Sequence, residues 1–119
     1  MKKILIIEDE PDVARSMQML LEAEGYRADF ALSGKDGLAK MKAYDLILLD
    51  IMMPKMSGRE VLREMKKLGI KKPVIVVSAV GVPAAVQVEM NSIYPGTGFV
   101  SKTSIGEMLV SEIKKRIGK

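Results

Sequence analysis

Five polar residues stand at the ends of short apolar runs: Glu8 and Asp9 after Ile4–Ile7, Asp50 after Leu46–Leu49, Ser78 after Val74–Val77, and Lys102 after Gly98–Ser101. The chain has no Cys and no His, so thiolate chemistry, an imidazole base and a His-ligated metal are all excluded, and any catalysis must use carboxylates, hydroxyls or lysines. If Glu8, Asp9 and Asp50 meet, their like charges raise one another's pKa, and the cluster needs a cation to stay ionised. An all-oxygen donor set favours a hard metal. A few carboxylates completed by water and substrate oxygens suit Mg²⁺ better than an all-protein Ca²⁺ cage. Beside such an ion, Asp50 can act as an oxygen nucleophile toward phosphorus. Lys102 can pair with its carboxylate before transfer and with the phosphoryl group afterwards, and Ser78 can donate a hydrogen bond to a phosphoryl oxygen.

The elements that must position these residues follow from the hydrophobic pattern. The runs Ile4–Ile7, Leu46–Leu49 and Val74–Val77 are too short for helices and unbroken by polar residues, as in strands buried on both faces of a parallel sheet. Arg27–Ala31 and Gly98–Ser101 are weaker strand candidates. Between them the period becomes helical. Pro11 opens a helix carrying Val13, Met17, Leu20 and Leu21 and stopped by Gly25; Ser33 caps a short one over Gly34 to Lys42. Ser57 caps a third, with Val61, Leu62, Met65 and Leu68 before Gly69, and Val82 to Ile93 forms a fourth. The last has Ser104 as cap, Glu107 completing a capping box, and apolar positions Ile105, Met108, Leu109, Ile113 and Ile117. Five alternations of strand and helix predict a doubly wound α/β domain over residues 1–119. In such a sheet, ligands bind beyond the carboxyl ends of the strands where the strand order reverses, and the known order 2-1-3-4-5 would bring Glu8, Asp9 and Asp50 into one crevice.

Composition narrows the function classes. Two Phe, three Tyr and no Trp leave aliphatic residues and ten Met to fill the core, and make a stacking surface for single-stranded nucleic acid an unsuitable reading. The net charge of +4 comes from dispersed Lys and Arg. Their one concentration, Lys114, Lys115, Arg116 and Lys119, reads as cations at a helix C-terminus, so neither direct nucleic-acid binding nor membrane insertion is expected. The opening apolar run is too short for a secretion signal, and a cytoplasmic location is the expectation.

With these residues in place, the chain resembles the receiver domains of two-component response regulators over essentially its whole length. The resemblance is carried by Ile4-Leu5-Ile6-Ile7-Glu8-Asp9-Glu10, by Asp45 through Pro54 with Ser57-Gly58, by Val76-Val77-Ser78-Ala79 and by Phe99-Val100-Ser101-Lys102. It implies a flavodoxin-like (βα)5 fold and phosphorylation of Asp50 by a sensor histidine kinase or phosphotransfer protein. It further implies Mg²⁺ bound by Asp9, Asp50 and the Met52 backbone carbonyl, with Glu8 contributing mainly through water. It implies a switch in which Ser78 moves toward the phosphoryl group and Phe99 rotates inward, the alternative for Phe99 being core filler. Downstream targets would meet the surface of the fourth helix, fifth strand and fifth helix. Such a chain would be a single-domain regulator that works by protein contact, catalysing only its own phosphorylation and dephosphorylation.

Departures from the family pattern carry expectations of their own. Thr103 stands where a proline commonly follows the lysine, so a trans Lys102–Thr103 peptide is expected, a cis bond to Thr costing roughly 3 kcal/mol. Met52 and Val80 flank the acceptor without a side chain able to orient a hydrolytic water, which predicts a long-lived phosphoryl group. Val82, Val86, Met90 and Ile93 do not share one stripe; they offer a face to a partner or a second copy, unless core and loops wrap the helix. Among other classes, a phosphate-independent receiver-like module would lack part of the constellation. An aspartyl phosphohydrolase of the haloacid-dehalogenase kind needs an acid where Met52 stands, and a flavodoxin needs a hydroxyl-rich loop where Glu8-Asp9-Glu10-Pro11 would repel phosphate.

Overall fold

Five parallel strands lie in the order β2-β1-β3-β4-β5: β1 Lys3–Ile7, β2 Arg27–Ala31, β3 Leu46–Asp50, β4 Val74–Ser78 and β5 Gly98–Ser101. The computed structural model describes residues 1–79 and 81–118, apart from the side chains of Ser104 and Glu107. Every residue of β3 and β4 is buried, which is why these strands read as unbroken apolar runs. Alternate residues serve opposite faces. Leu5, Ile7, Ile47, Leu49, Val74 and Val76 face one core, and Ile4, Ile6, Leu46, Leu48, Ile75 and Val77 face the other.

The helices are α1 Pro11–Ala23, α2 Gly34–Lys40, α3 Gly58–Lys67, α4 Ala84–Ile93 and α5 Val110–Ile117. Val61, Leu62 and Met65 of α3 and Met90 of α4 close the first core; Met17 and Leu21 of α1 and Ile113 of α5 close the second. The helix ends follow local chemistry. Ser33 and Ser57 each accept a hydrogen bond from the backbone N–H three residues on, of Asp36 and Glu60. Gly25 and Gly69, past the ends of α1 and α3, take φ of +90° and +71°, the left-handed conformation that suits a residue without Cβ. Leu68, counted with the apolar stripe of α3, is exposed beyond its last turn.

Three helical expectations are corrected. The second helix stops at Lys40, and Met41–Ala43 tighten into a 3-10 turn. The fourth begins at Ala84 rather than Val82, because a residue before proline is disfavoured in helical conformation and Val82 precedes Pro83. The last departs most. Lys102–Ser104 form a 3-10 turn and Ile105–Leu109 a π-helical turn, and α-helix begins only at Val110. The wider π turn accommodates an extra residue, so Met108, expected inward, is 57% exposed while Val110 is buried in its stead. The hydroxyl of Ser101 caps the 3-10 turn, accepting from the Thr103 N–H at 3.2 Å; the expected Ser104–Glu107 capping box lies outside the described side chains. No cis peptide occurs among the described residues, so Lys102–Thr103 is trans as expected.

Of the residues expected to offer a face on the fourth helix, none is fully exposed. Met90 is fully buried, Val86 and Ile93 pack half-buried against the core, and Val82 is half-buried ahead of the helix, so core contacts account for much of this set. The helical period was obscured because Val88, 67% exposed, sits on the solvent side among them.

Candidate functional site

Parallel pairing brings the strand ends to one edge. Ile7 lies opposite Leu49, Asp50 opposite Val77 and Ser78 opposite Ser101, so the residues that follow emerge side by side. The chain leaves β1 for β2 on one side and enters β3 on the other, which opens a crevice at Glu8 and Asp50. The Glu8 N–H donates to the Ala31 carbonyl at 3.1 Å, extending the ladder and fixing Glu8 before the chain turns into α1.

Glu8, Asp9 and Asp50 each bring a carboxylate oxygen within 4.8 Å of the others. Glu8 is 1% exposed and Asp50 6%, so these charges are largely cut off from solvent. Lys102 reaches them from the 3-10 turn that follows β5. Its Nζ lies 2.6 Å from Glu8 Oε1 and 3.7 Å from Asp50 Oδ1, so the lysine bridges two acids and holds Glu8 more closely than the expected Asp50. In the sheet β5 lies three places from β1, and no spacing in the sequence announces that pair.

Burial and then the neighbouring Glu8 charge push the Asp50 carboxyl up to about 6, although Lys102 and the Met52 N–H, donating to Oδ1 at 3.2 Å, favour its ionised form. For Lys102 burial disfavours the charged state. The hydrogen bond to Glu8 and the charges of Asp50, Glu8 and Glu10 outweigh it and raise its pKa. One ammonium faces three carboxylates, an unbalanced set whose hard oxygens fit a divalent cation such as Mg²⁺.

The loop after Asp50 is held by its backbone. The Gly58 N–H donates to the Ile51 carbonyl at 3.2 Å, and a Cβ on Gly58 would lie 2.9 Å from the Ile51 Cα and 3.0 Å from the Asp50 carbonyl oxygen. Only glycine lets α3 begin this close to the acceptor. Lys55 holds φ of +67° in the same loop, a left-handed residue that pattern reasoning did not single out. Met52 is exposed, with its backbone N–H turned to Asp50. Ser78 is buried at the end of β4, and Phe99, paired with Val76, packs half-buried on the core beneath α4. Val80, expected to flank the acceptor, lies outside the described residues.

Residues 4–114 match the response regulator receiver domain family. The chain is 43% identical over 79 residues to the transcriptional regulatory protein DltR of Streptococcus agalactiae, covering 65% of this chain and 35% of that protein. It is 43% identical over 81 residues to the response regulator ArlR of Staphylococcus saprophyticus, covering 66% and 36%. The chain thus spans about a third of the length of the curated relatives it matches. Among solved structures it superposes on the response regulator TrrA of Thermotoga maritima, in complex with Mg²⁺-BeF, with a TM-score of 0.84 and 31% identity over 98% of this chain and all of that one. The Francisella response regulator 1452 receiver domain gives 0.86 and 25% over 97% and 95%. The sheet order, the acidic crevice and these matches agree: the chain belongs to the response-regulator receiver domains.

Proposed function

We propose that residues 1–119 act as a phosphorylation switch in which Asp50 accepts a phosphoryl group from a sensor histidine kinase or phosphotransfer protein. The observation that carries this reading is the three-carboxylate cluster at the carboxyl edge of the sheet, with Glu8 and Asp50 buried and bridged by Lys102 and Asp9 half-buried beside them. An Asp50 carboxylate oxygen forms the new O–P bond as the donor's N–P bond breaks and the imidazole leaves; from acetyl phosphate, an O–P bond breaks and acetate leaves. Lys102 favours the reactive anion beforehand. It then moves from Glu8 and Asp50 toward the phosphoryl oxygens, to which the Ser78 hydroxyl also donates. Mg²⁺, held by Asp9, Asp50 and the Met52 carbonyl with Glu8 acting mainly through water, would neutralise charge on the transferring group.

A dianion at Asp50 supplies acceptor oxygens that the carboxylate lacked, and it draws Ser78 inward so that Phe99 follows. The switched surface is then α4, β5 and α5, read by a downstream protein or by a second copy of the chain in the cytoplasm. On α4 the most accessible apolar side chain is that of Val88, while Val86 and Ile93 are half-buried and Met90 is buried. With Met52 offering no group to orient water, the phosphoryl group should be long-lived; rapid loss from the isolated domain would contradict this.

The test is intact mass after incubation with acetyl phosphate. A gain of about 80 Da, one HPO₃, in the wild type with Mg²⁺ but not in Asp50→Asn or with chelator, is the expected result. A folded wild type that gains nothing would instead make the chain a phosphate-independent interaction module.

A further inference from the structure

At the opposite end of the sheet, the segment between α3 and β4 and the segment between α4 and β5 enclose an open groove of about 430 Å³. Its floor is Ile70, Tyr94 and Pro95, and Lys66, Lys71 and Lys72 stand around it. The groove does not collapse, because its walls are bolted together by hydrogen bonds. The Lys72 N–H donates to Tyr94 Oη at 2.9 Å, and the phenol proton is shared by the Lys72 and Ile70 carbonyls at 2.5 and 3.1 Å. Asn91 Oδ1 accepts from the N–H groups of Gly96 and Thr97, and the Thr97 hydroxyl donates to the Tyr94 carbonyl at 2.6 Å. A preformed groove spares a ligand the cost of ordering it.

Charge indicates the occupant. No carboxylate lines the groove, and among the described residues Lys66, Lys71 and Lys72 enter no ion pair. A nucleic acid would use the ammonium groups but not the floor, whose one ring is half-buried with its hydroxyl spent on the backbone. We propose that this groove docks an acidic segment of a partner protein, with apolar side chains on the floor and carboxylates on the lysines.

The site stands apart from Asp50. It flanks the start of β4, whereas Ser78 ends that strand, a separation on the order of 13 Å along the strand alone. The probe is a 15-residue peptide of Asp and Glu with two Leu four residues apart, read by amide chemical shifts of the isotope-labelled chain. Saturable shifts confined to Ile70–Lys72 and Tyr94–Gly96 are expected. Affinity should fall about tenfold or more in Lys71→Glu/Lys72→Glu, and equally when the Leu residues become Ser. Asp50→Asn should bind the peptide as the wild type does, and the double variant should still gain a phosphoryl group, which separates this proposal from the one above. Absent binding, shifts elsewhere, unchanged affinity for the Ser peptide, or equal occupancy by a single-stranded DNA oligonucleotide would each overturn it. Lys66→Glu gives a second variant should the double one fail to fold.

Discussion

The two ends of the sheet are built on opposite terms. At the amino end, the polar group of Tyr94 is spent on backbone partners, and the lysines stand in solvent around a groove that is already satisfied within the chain. At the carboxyl end, buried Glu8 and Asp50 meet half-buried Asp9 and Lys102 with their charges unbalanced, and the loop that follows keeps a left-handed lysine. One edge is settled, and the other is poised to change when charge is added. The hydrogen bonds of the crevice are made but its charges do not balance, so an added cation or phosphoryl group acts on this edge more strongly than on the other.

The contrast should break most sharply at Lys102. In Lys102→Met the acids lose their ammonium partner and the transferring phosphoryl group loses a cation, so the rate of mass gain from acetyl phosphate should fall about 10²-fold or more. A variant that is phosphorylated at the wild-type rate would show the lysine to be a structural counter-ion only. The same change should raise apparent Mg²⁺ affinity, since a competing cation leaves the acids and no ligand is removed; tryptophan being absent, isothermal titration is the appropriate readout.

Asp50→Asn should act in the other direction on stability. The folded state holds this carboxyl at about 6, against an ordinary value of 3.8. Between those values the native chain keeps a proton that the unfolded chain has lost, so stability falls as pH rises through this window, and the penalty is fully present above about 6. Removing the charge should therefore stabilise the metal-free domain at pH 8 by about 3 kcal/mol, with the advantage shrinking as pH drops from about 6 toward 4. Urea titrations in chelator check the sign, and added Mg²⁺ should narrow the gap by stabilising the wild type alone. A gap independent of pH would mean that the Asp50 charge is not under strain.

At the settled end, Tyr94→Phe should cost about 1–2 kcal/mol, because the Lys72 N–H loses its acceptor while the ring still packs. Phosphorylation by acetyl phosphate should be unchanged. Loss of both stability and phosphorylation would show that the two ends are coupled rather than merely contrasted.

How far the sequence carried this picture depends on the range of the interactions. Strands showed as unbroken apolar runs because both faces of β3 and β4 are covered, and helix ends at Ser33, Ser57, Gly25 and Gly69 showed because capping is chemistry over three or four residues. Glu8, Asp9 and Asp50 could be grouped since strand ends share an edge. What was not visible depends on register or reach. The π turn at Ile105–Leu109 displaces the apolar stripe without altering composition, and the Glu8–Lys102 pair spans three strand positions. The tight approach of Gly58 to Ile51 has a signal in the Ser57-Gly58 motif, but its physical reason needs coordinates.

The smallest effect sharpens the comparison where it is subtlest, at Lys55. A non-glycine residue at φ of +67° pays for the close approach of its Cβ to the backbone, and this one lies in the loop that runs from the acceptor to α3. Lys55→Gly removes that penalty but adds chain entropy to the unfolded state, so the net gain should be only about 0.5–1 kcal/mol, seen as a modest rise in thermal midpoint. Its value lies in what happens to phosphorylation. If the left-handed turn merely closes the loop, the variant should be more stable and accept a phosphoryl group at the wild-type rate, because glycine adopts the same geometry. If the strain keeps the loop ready to rearrange around Asp50, relieving it should instead slow the mass gain while stabilising the unmodified domain. A stabilised variant with unchanged phosphorylation would confine the readiness of this edge to its unbalanced charges.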